Sequence, residues 1–86
     1  MSFTLELPGD IGGRVGAPTV IANTTTYPRA LRQLVAAYPS VRGLLVNSKD
    51  ELRQTIRCSL DGNILNEETL IPDGSRIKLF FIRAGG

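Results

Sequence analysis

The residues best placed to do chemistry are the last two, Gly85 and Gly86, which end the sequence as a bare diglycine. Four residues, Arg83-Ala84-Gly85-Gly86, follow an apolar stretch that reads as a strand, Ile77 to Ile82. Such an arm reaches at most about 13 Å, at roughly 3.3–3.6 Å per residue. Its tip is thin, because glycine carries no side chain, so it could thread a narrow active site with the main-chain carboxylate leading. That carboxylate has a pKa near ~3.5, so at neutral pH it is an anion and a poor electrophile. Reaction requires prior activation, for which adenylation by ATP on a partner enzyme is the usual chemistry. The acyl group could then pass to sulfur, giving a thiocarboxylate, or to an amine, giving an amide. A frayed terminus is the competing reading of the dipeptide, since chain ends are commonly disordered.

The rest of the chain offers little independent catalysis. It has no His and a single Cys, so it lacks the usual zinc ligands and the base that most nucleophiles need. No metal or other cofactor is expected. The 86 residues make one small domain, and 42% hydrophobic with 21% charged residues is an ordinary globular balance. The net charge of +2 is mild and its arginines are scattered, so no nucleic-acid tract is present. Met1 leads straight into a strand pattern, and no apolar run approaches the ~18 residues of a membrane span. One cysteine cannot form an internal disulfide, which suits a reducing cytoplasm.

The elements that would position the tail are read in order. Phe3-Thr4-Leu5-Glu6-Leu7 alternates as a strand buried on one face. Gly9 to Gly16 contains four glycines but no Gly-Lys-Ser/Thr, so a mobile hairpin loop is expected rather than a phosphate loop. Thr19 to Ala22 reads as a second strand, antiparallel to the first. A helix follows, capped by the Thr26 hydroxyl, with Pro28 in its first turn. Tyr27, Leu31, Leu34, Val35 and Tyr38 form its core stripe, and Pro39 closes it. Val41 to Val46 is a further helical turn or packed loop, and Asn47 to Asp50 a turn.

Leu52 to Leu60 reads as a strand with Ile56, Cys58 and Leu60 inward, which makes Cys58 inert packing. Asp61-Gly62-Asn63 is a turn, and Ile64 to Pro72 a short strand or helical turn with Ile71 buried. After the Asp73-Gly74 turn, the terminal strand places Ile77, Leu79 and Phe81 on one face and Lys78, Phe80 and Ile82 on the other. Phe80 and Ile82 are then an exposed apolar pair beside the tail, a candidate docking site. Strands bracketing one main helix predict an α+β fold, a mixed sheet packed on that helix, with the first and last strands side by side.

This sequence resembles the ubiquitin-like β-grasp sulfur carriers of the MoaD/ThiS family over nearly its whole length. Thr26 before Leu31, Leu34 and Val35, with Tyr38-Pro39 at the exit, looks like the family's helix. Leu52-Arg53-Gln54-Thr55-Ile56-Arg57-Cys58-Ser59-Leu60-Asp61-Gly62 resembles its middle strand and turn. Ile71-Pro72-Asp73-Gly74-Ser75-Arg76-Ile77 resembles its last turn, and the distance onward to Gly85-Gly86 is also similar. The length is closer to the molybdopterin-synthase small subunit and the cysteine-biosynthesis carrier than to the shorter thiamine carrier. Phe81-Ile82-Arg83-Ala84 departs from the proline- and valine-rich sequence many members carry there, and its arginine resembles ubiquitin's own end.

The resemblance implies a β-grasp domain over residues 1–82 with a flexible diglycine tail at residues 83–86. It implies a protein substrate, not an enzyme. A ubiquitin-activating-type adenylyltransferase would adenylate Gly86, a sulfurtransferase or persulfide donor would make the thiocarboxylate, and a sulfur-recipient enzyme would consume it. A covalent modifier of lysines and a non-covalent interaction module are the two other expectations.

Overall fold

The computed structural model describes residues 1–82. Five strands make one sheet: β1 (Phe3–Glu6), β2 (Thr19–Ala22), β3 (Ile56–Leu60), β4 (Asn63–Ile64) and β5 (Arg76–Phe81). Their spatial order is β2-β1-β5-β3-β4, so the last strand in sequence is the middle strand in space. β5 runs parallel to β1 and antiparallel to β3, which makes the sheet mixed. The first and last strands lie side by side, as their patterns predict.

Local chemistry sets that register. Gly74 adopts a φ of 79°, a conformation that costs a Cβ-bearing residue strain. Its N–H donates to the Ser2 carbonyl at 2.8 Å, and the Asp73 carboxylate accepts the Ser2 N–H at 2.7 Å. The turn thereby clamps the start of β5 against the start of β1. Thr4 N–H then donates to the Ser75 carbonyl at 2.8 Å and continues the pairing.

One face of the sheet packs on α2 (Tyr27–Ala37), which buries Tyr27, Ala30, Leu31, Leu34 and Val35. Phe3, Leu5, Ile56, Cys58, Ile77 and Leu79 meet it from the sheet. Burying an aliphatic or aromatic side chain of this size contributes about 1.5–3 kcal/mol, so this interface dominates the stability of a domain with one core. Pro39–Val41 forms a 3-10 turn and α3 (Arg42–Leu45) a further helical turn, packing Val41 and Leu45 below α2. The result is the α+β architecture expected, a mixed sheet on one main helix.

Several expectations are corrected. Residues 9–15 are not a hairpin loop but a helix, α1 (Gly9–Val15). Fully buried Ile11 pins it, Asp10 and Arg14 sit at the dipole-favourable ends, and Gly16 in the left-handed region stops it. Thr26 precedes α2 but its hydroxyl makes no capping bond; its carbonyl accepts the Ala30 N–H at 3.2 Å. Tyr38 is 37% exposed, because α2 ends at Ala37 and the backbone turns out of helical geometry there. The strand expected from Leu52 begins only at Ile56; Leu52 makes an isolated bridge to Val46. The Asp61-Gly62 turn, with both residues at positive φ, is as expected.

Candidate functional site

The reacting residues expected from the sequence, Arg83, Ala84, Gly85 and Gly86, lie outside the described residues. What the structure shows is the platform immediately before them. β5 is held on both sides, by β1 and by β3. Anchoring continues one residue past the strand, where the Ile82 N–H donates to the Thr55 carbonyl at 2.8 Å. Main-chain pairing therefore reaches the last described residue.

Around that end, apolar side chains are uncovered. Phe80, expected to be exposed together with Ile82, is instead half-buried, and stands opposite Arg57 of β3 on the face away from α2. Ile82 is 41% exposed. Phe81 was expected inward with Ile77 and Leu79, and this is corrected: it is 38% exposed, whereas Ile77 and Leu79 are fully buried. Its strand parity is inward, but it pairs with Ile56 at the first residue of β3, where the sheet ends. Three consecutive apolar residues thus lead to the tail, and Phe81 is the one sequence alternation misassigns.

The sheet face shared with Phe80 is basic. Arg57, Arg76 and Lys78 occupy it, against the acidic Glu6, whose carboxylate pairs with Arg76 at 2.9 Å. The Arg57 guanidinium donates to the carbonyls of Gln54 and Ile56, which holds it flat against β3. Both members of the Glu6–Arg76 pair are substantially exposed, so the pair orients side chains and adds little stability.

Among the described residues there is no cluster of metal-ligating side chains, and no helix is long and apolar enough to cross a membrane. Cys58 is fully buried, and burial pushes its thiol up to about 12. The proton is then held more tightly folded than unfolded, where the ordinary value is 9.0. Stability from this group is full below pH ~9 and falls as pH rises from there toward ~12. Iodoacetamide at neutral pH is expected to leave Cys58 unmodified in the folded protein and to alkylate it fully in denaturant. Rapid labelling of folded protein would refute the packing assignment.

No protein-family model matches the chain, and no curated protein matches it. Solved structures do. SAMP1 of Haloferax volcanii is 25% identical with a TM-score of 0.80, over 100% of both chains. The small archaeal modifier protein 1 of Methanosarcina acetivorans is 21% identical with a TM-score of 0.81, over 99% of this chain and 96% of that one. A chain of the BexX/CysO complex from Amycolatopsis orientalis is 18% identical with a TM-score of 0.74, over 98% and 99%.

Proposed function

Proceeding from the ubiquitin-like β-grasp fold these neighbours share with this chain, we propose that it is a sulfur carrier, a protein substrate acted on through Gly86. A ubiquitin-activating-type adenylyltransferase joins the Gly86 carboxylate to the AMP moiety of ATP, releasing pyrophosphate. The terminal sulfur of a persulfide donor displaces AMP, and a second thiol frees the thiocarboxylate as a disulfide forms. A sulfur-recipient enzyme then takes sulfide from it for biosynthesis. Cytoplasmic residence goes with this reading. Phe80 and Ile82, joined by Phe81, form the surface that the activating or recipient enzyme holds.

The observation that supports it most is where the diglycine sits in the chain. It follows the middle strand of the sheet by four residues, and pairing of that strand persists to Ile82. The platform thus has a fixed end, and the short arm behind it has two terminal residues without side chains.

A second reading has its own support: two of the neighbours are modifier proteins, one matching over 100% of both chains. A modifier shares the acyl adenylate, then forms an amide with a lysine amine instead of a bond to sulfur. Intact-mass analysis of protein isolated from its native cells separates the two. The carrier is expected to show replacement of one terminal oxygen by sulfur. A modifier would leave an Ala-Gly-Gly remnant on target lysines after trypsin cuts at Arg83. A rich set of such remnants that vanishes on Gly86 deletion, with no sulfur-substituted terminus, would overturn the carrier reading.

A further inference from the structure

The main chain of Ile82, the last described residue, is held by a residue that is not in a strand. Its N–H donates to the carbonyl of Thr55, which precedes β3. Thr55 belongs to a turn from Arg53 to Ile56, closed by the Ile56 N–H donating to the Arg53 carbonyl at 3.2 Å. One bond at the long end of the usual range is a soft support for the point from which the tail departs. Strand register shows which other groups could stiffen it. Antiparallel pairs alternate, so the bonded Thr55–Ile82 pair makes Arg57–Phe80 and Ser59–Lys78 the next bonded pairs. Thr55 and Arg57 thus turn their carbonyls toward β5, while Gln54 and Ile56 turn theirs outward. β4 reaches back along that outer edge only to Cys58, whose carbonyl accepts the Leu65 N–H at 2.9 Å. The carbonyls of Gln54 and Ile56 therefore have no strand beside them among the described residues.

Arginine side chains take the place of that strand. One guanidinium nitrogen of Arg57, Nη1, donates to the Gln54 carbonyl and also to the Ile56 carbonyl, the latter at 2.7 Å. Those two planar peptides flank the Thr55–Ile56 peptide, so holding both constrains the Thr55 carbonyl that Ile82 uses. Arg53 fastens the start of the same turn. Its Nε and Nη2 both donate to the Gly43 carbonyl, at 3.1 and 2.9 Å, and its N–H donates to the Leu45 carbonyl at 2.9 Å. Neither arginine forms an ion pair among the described residues, whereas Arg32, Arg42 and Arg76 each meet a carboxylate. Their charged donors serve main-chain carbonyls instead, and such bonds are stronger than those of neutral donors.

We propose that Arg57, assisted by Arg53, is a positioning residue for the tail. It fixes the carbonyl that anchors Ile82 and so sets the span from the last held main-chain group to Gly86. The next bonded residue back along β5 is Phe80, opposite Arg57. Loss of the Ile82 bond would lengthen the span by two residues, about 7 Å at roughly 3.3–3.6 Å each. A longer span spreads the carboxylate over a larger volume and lowers its effective concentration at an active site. Delivery of Gly86 rests on the acyl-adenylate chemistry proposed above, while the anchoring of Ile82 does not.

The test compares the full chain with Arg57→Met, which keeps an apolar stem and removes the donors. In nitrogen-15 spectra, deuterium exchange of the Ile82 amide is expected to quicken at least about tenfold, with Lys78 of the same strand unchanged. ATP–pyrophosphate exchange by the activating enzyme should lose at least about tenfold in rate at saturating carrier, with the carrier's KM little changed. Arg57→Lys should recover much of both, because one ammonium nitrogen can bridge two carbonyls as Nη1 does. Arg53→Lys should quicken Ile82 exchange, because the grip on Gly43 uses two nitrogens of a planar fork. Unchanged Ile82 protection in folded Arg57→Met overturns the proposal. Equal acceleration at Lys78 does so too, since it would mean general loosening. A raised KM with the saturated rate intact would make Arg57 an enzyme contact and overturn the positioning role. A wild type inert in ATP–pyrophosphate exchange would overturn the Gly86 reading alone, and Ile82 exchange would still decide for or against the clamp.

Discussion

Deleting Gly86 is expected to abolish ATP–pyrophosphate exchange by the activating enzyme while leaving the thermal unfolding curve unchanged. The chemistry requires this on the proposed reading. The electrophile is made from one carboxylate, and its position is set by the number of residues beyond Ile82, where main-chain pairing reaches. Shortening the arm by one residue withdraws the carboxylate by about 3.3–3.6 Å, more than the whole length of a hydrogen bond. Misplacement of a reacting atom by even 1 Å can cost on the order of a hundredfold in rate. The fold should not notice, because its buried side chains end at Leu79 and its last described main-chain bond is made by Ile82. Gly86→Ala gives a graded control, since it keeps the length and adds one methyl group to the tip. Undiminished exchange by the truncated protein would remove Gly86 from the mechanism. A lowered melting temperature would instead show that the tail packs on the domain.

The parts of this fold legible in the sequence are those where local pattern and tertiary burial agree. Leu5 and Ile77 stand on strands with clean alternation, and both are fully buried in adjacent parallel strands. Leu31 and Leu34 recur at helical spacing and face the sheet. Gly62 and Gly74 mark turns because their positive φ demands glycine. α1 was illegible for the converse reason. Each glycine costs a helix about 1 kcal/mol relative to alanine, and this segment has three within seven residues. Burial of Ile11 outweighs that intrinsic preference, and nothing adjacent in sequence signals the burial. Gly12 has a further reason to be glycine, because a Cβ there would stand 3.2 Å from the Ala17 carbonyl oxygen. Phe81 and Tyr38 failed for a different reason. Periodicity tells which way a side chain points, but not whether the opposing layer extends that far. Both residues sit where an element ends, and both keep over a third of their surface exposed. On the platform itself, the apolar character of Phe80 and Ile82 was readable, whereas the extra member Phe81 was not. The Asp73 side chain holding Ser2 N–H was equally hidden, since it joins residues 71 positions apart.

Phe80→Ala is expected to weaken binding to the activating or recipient enzyme by ~1–3 kcal/mol, roughly five- to 150-fold in Kd, the magnitude of an interface hot spot. Phe80 differs from its strand neighbours in a way that favours this. Ile77 and Leu79 are fully buried, so their truncation would cost stability through lost burial and a cavity. Phe80 lies on the face that α2 does not cover, half-buried beside Arg57, with Lys78 two residues before it. A partner that covered the ring would remove the rest of its surface from water while the surrounding arginine and lysine met acidic residues. Two charge controls follow from that geometry. Lys78→Glu should slow association and reduce its salt dependence, because exposed charge acts mainly on encounter. Phe80→Ala should instead raise the dissociation rate at any ionic strength. The competing account is that the half-buried ring is part of the core. In that case the melting temperature falls steeply for Phe80→Ala, while molecules that remain folded bind the partner with wild-type affinity. Calorimetric titration below the melting transition, with the folded fraction measured on the same sample, decides between the two. Loss of affinity at full folding assigns Phe80 to docking, and wild-type affinity at reduced stability assigns it to the domain's own packing.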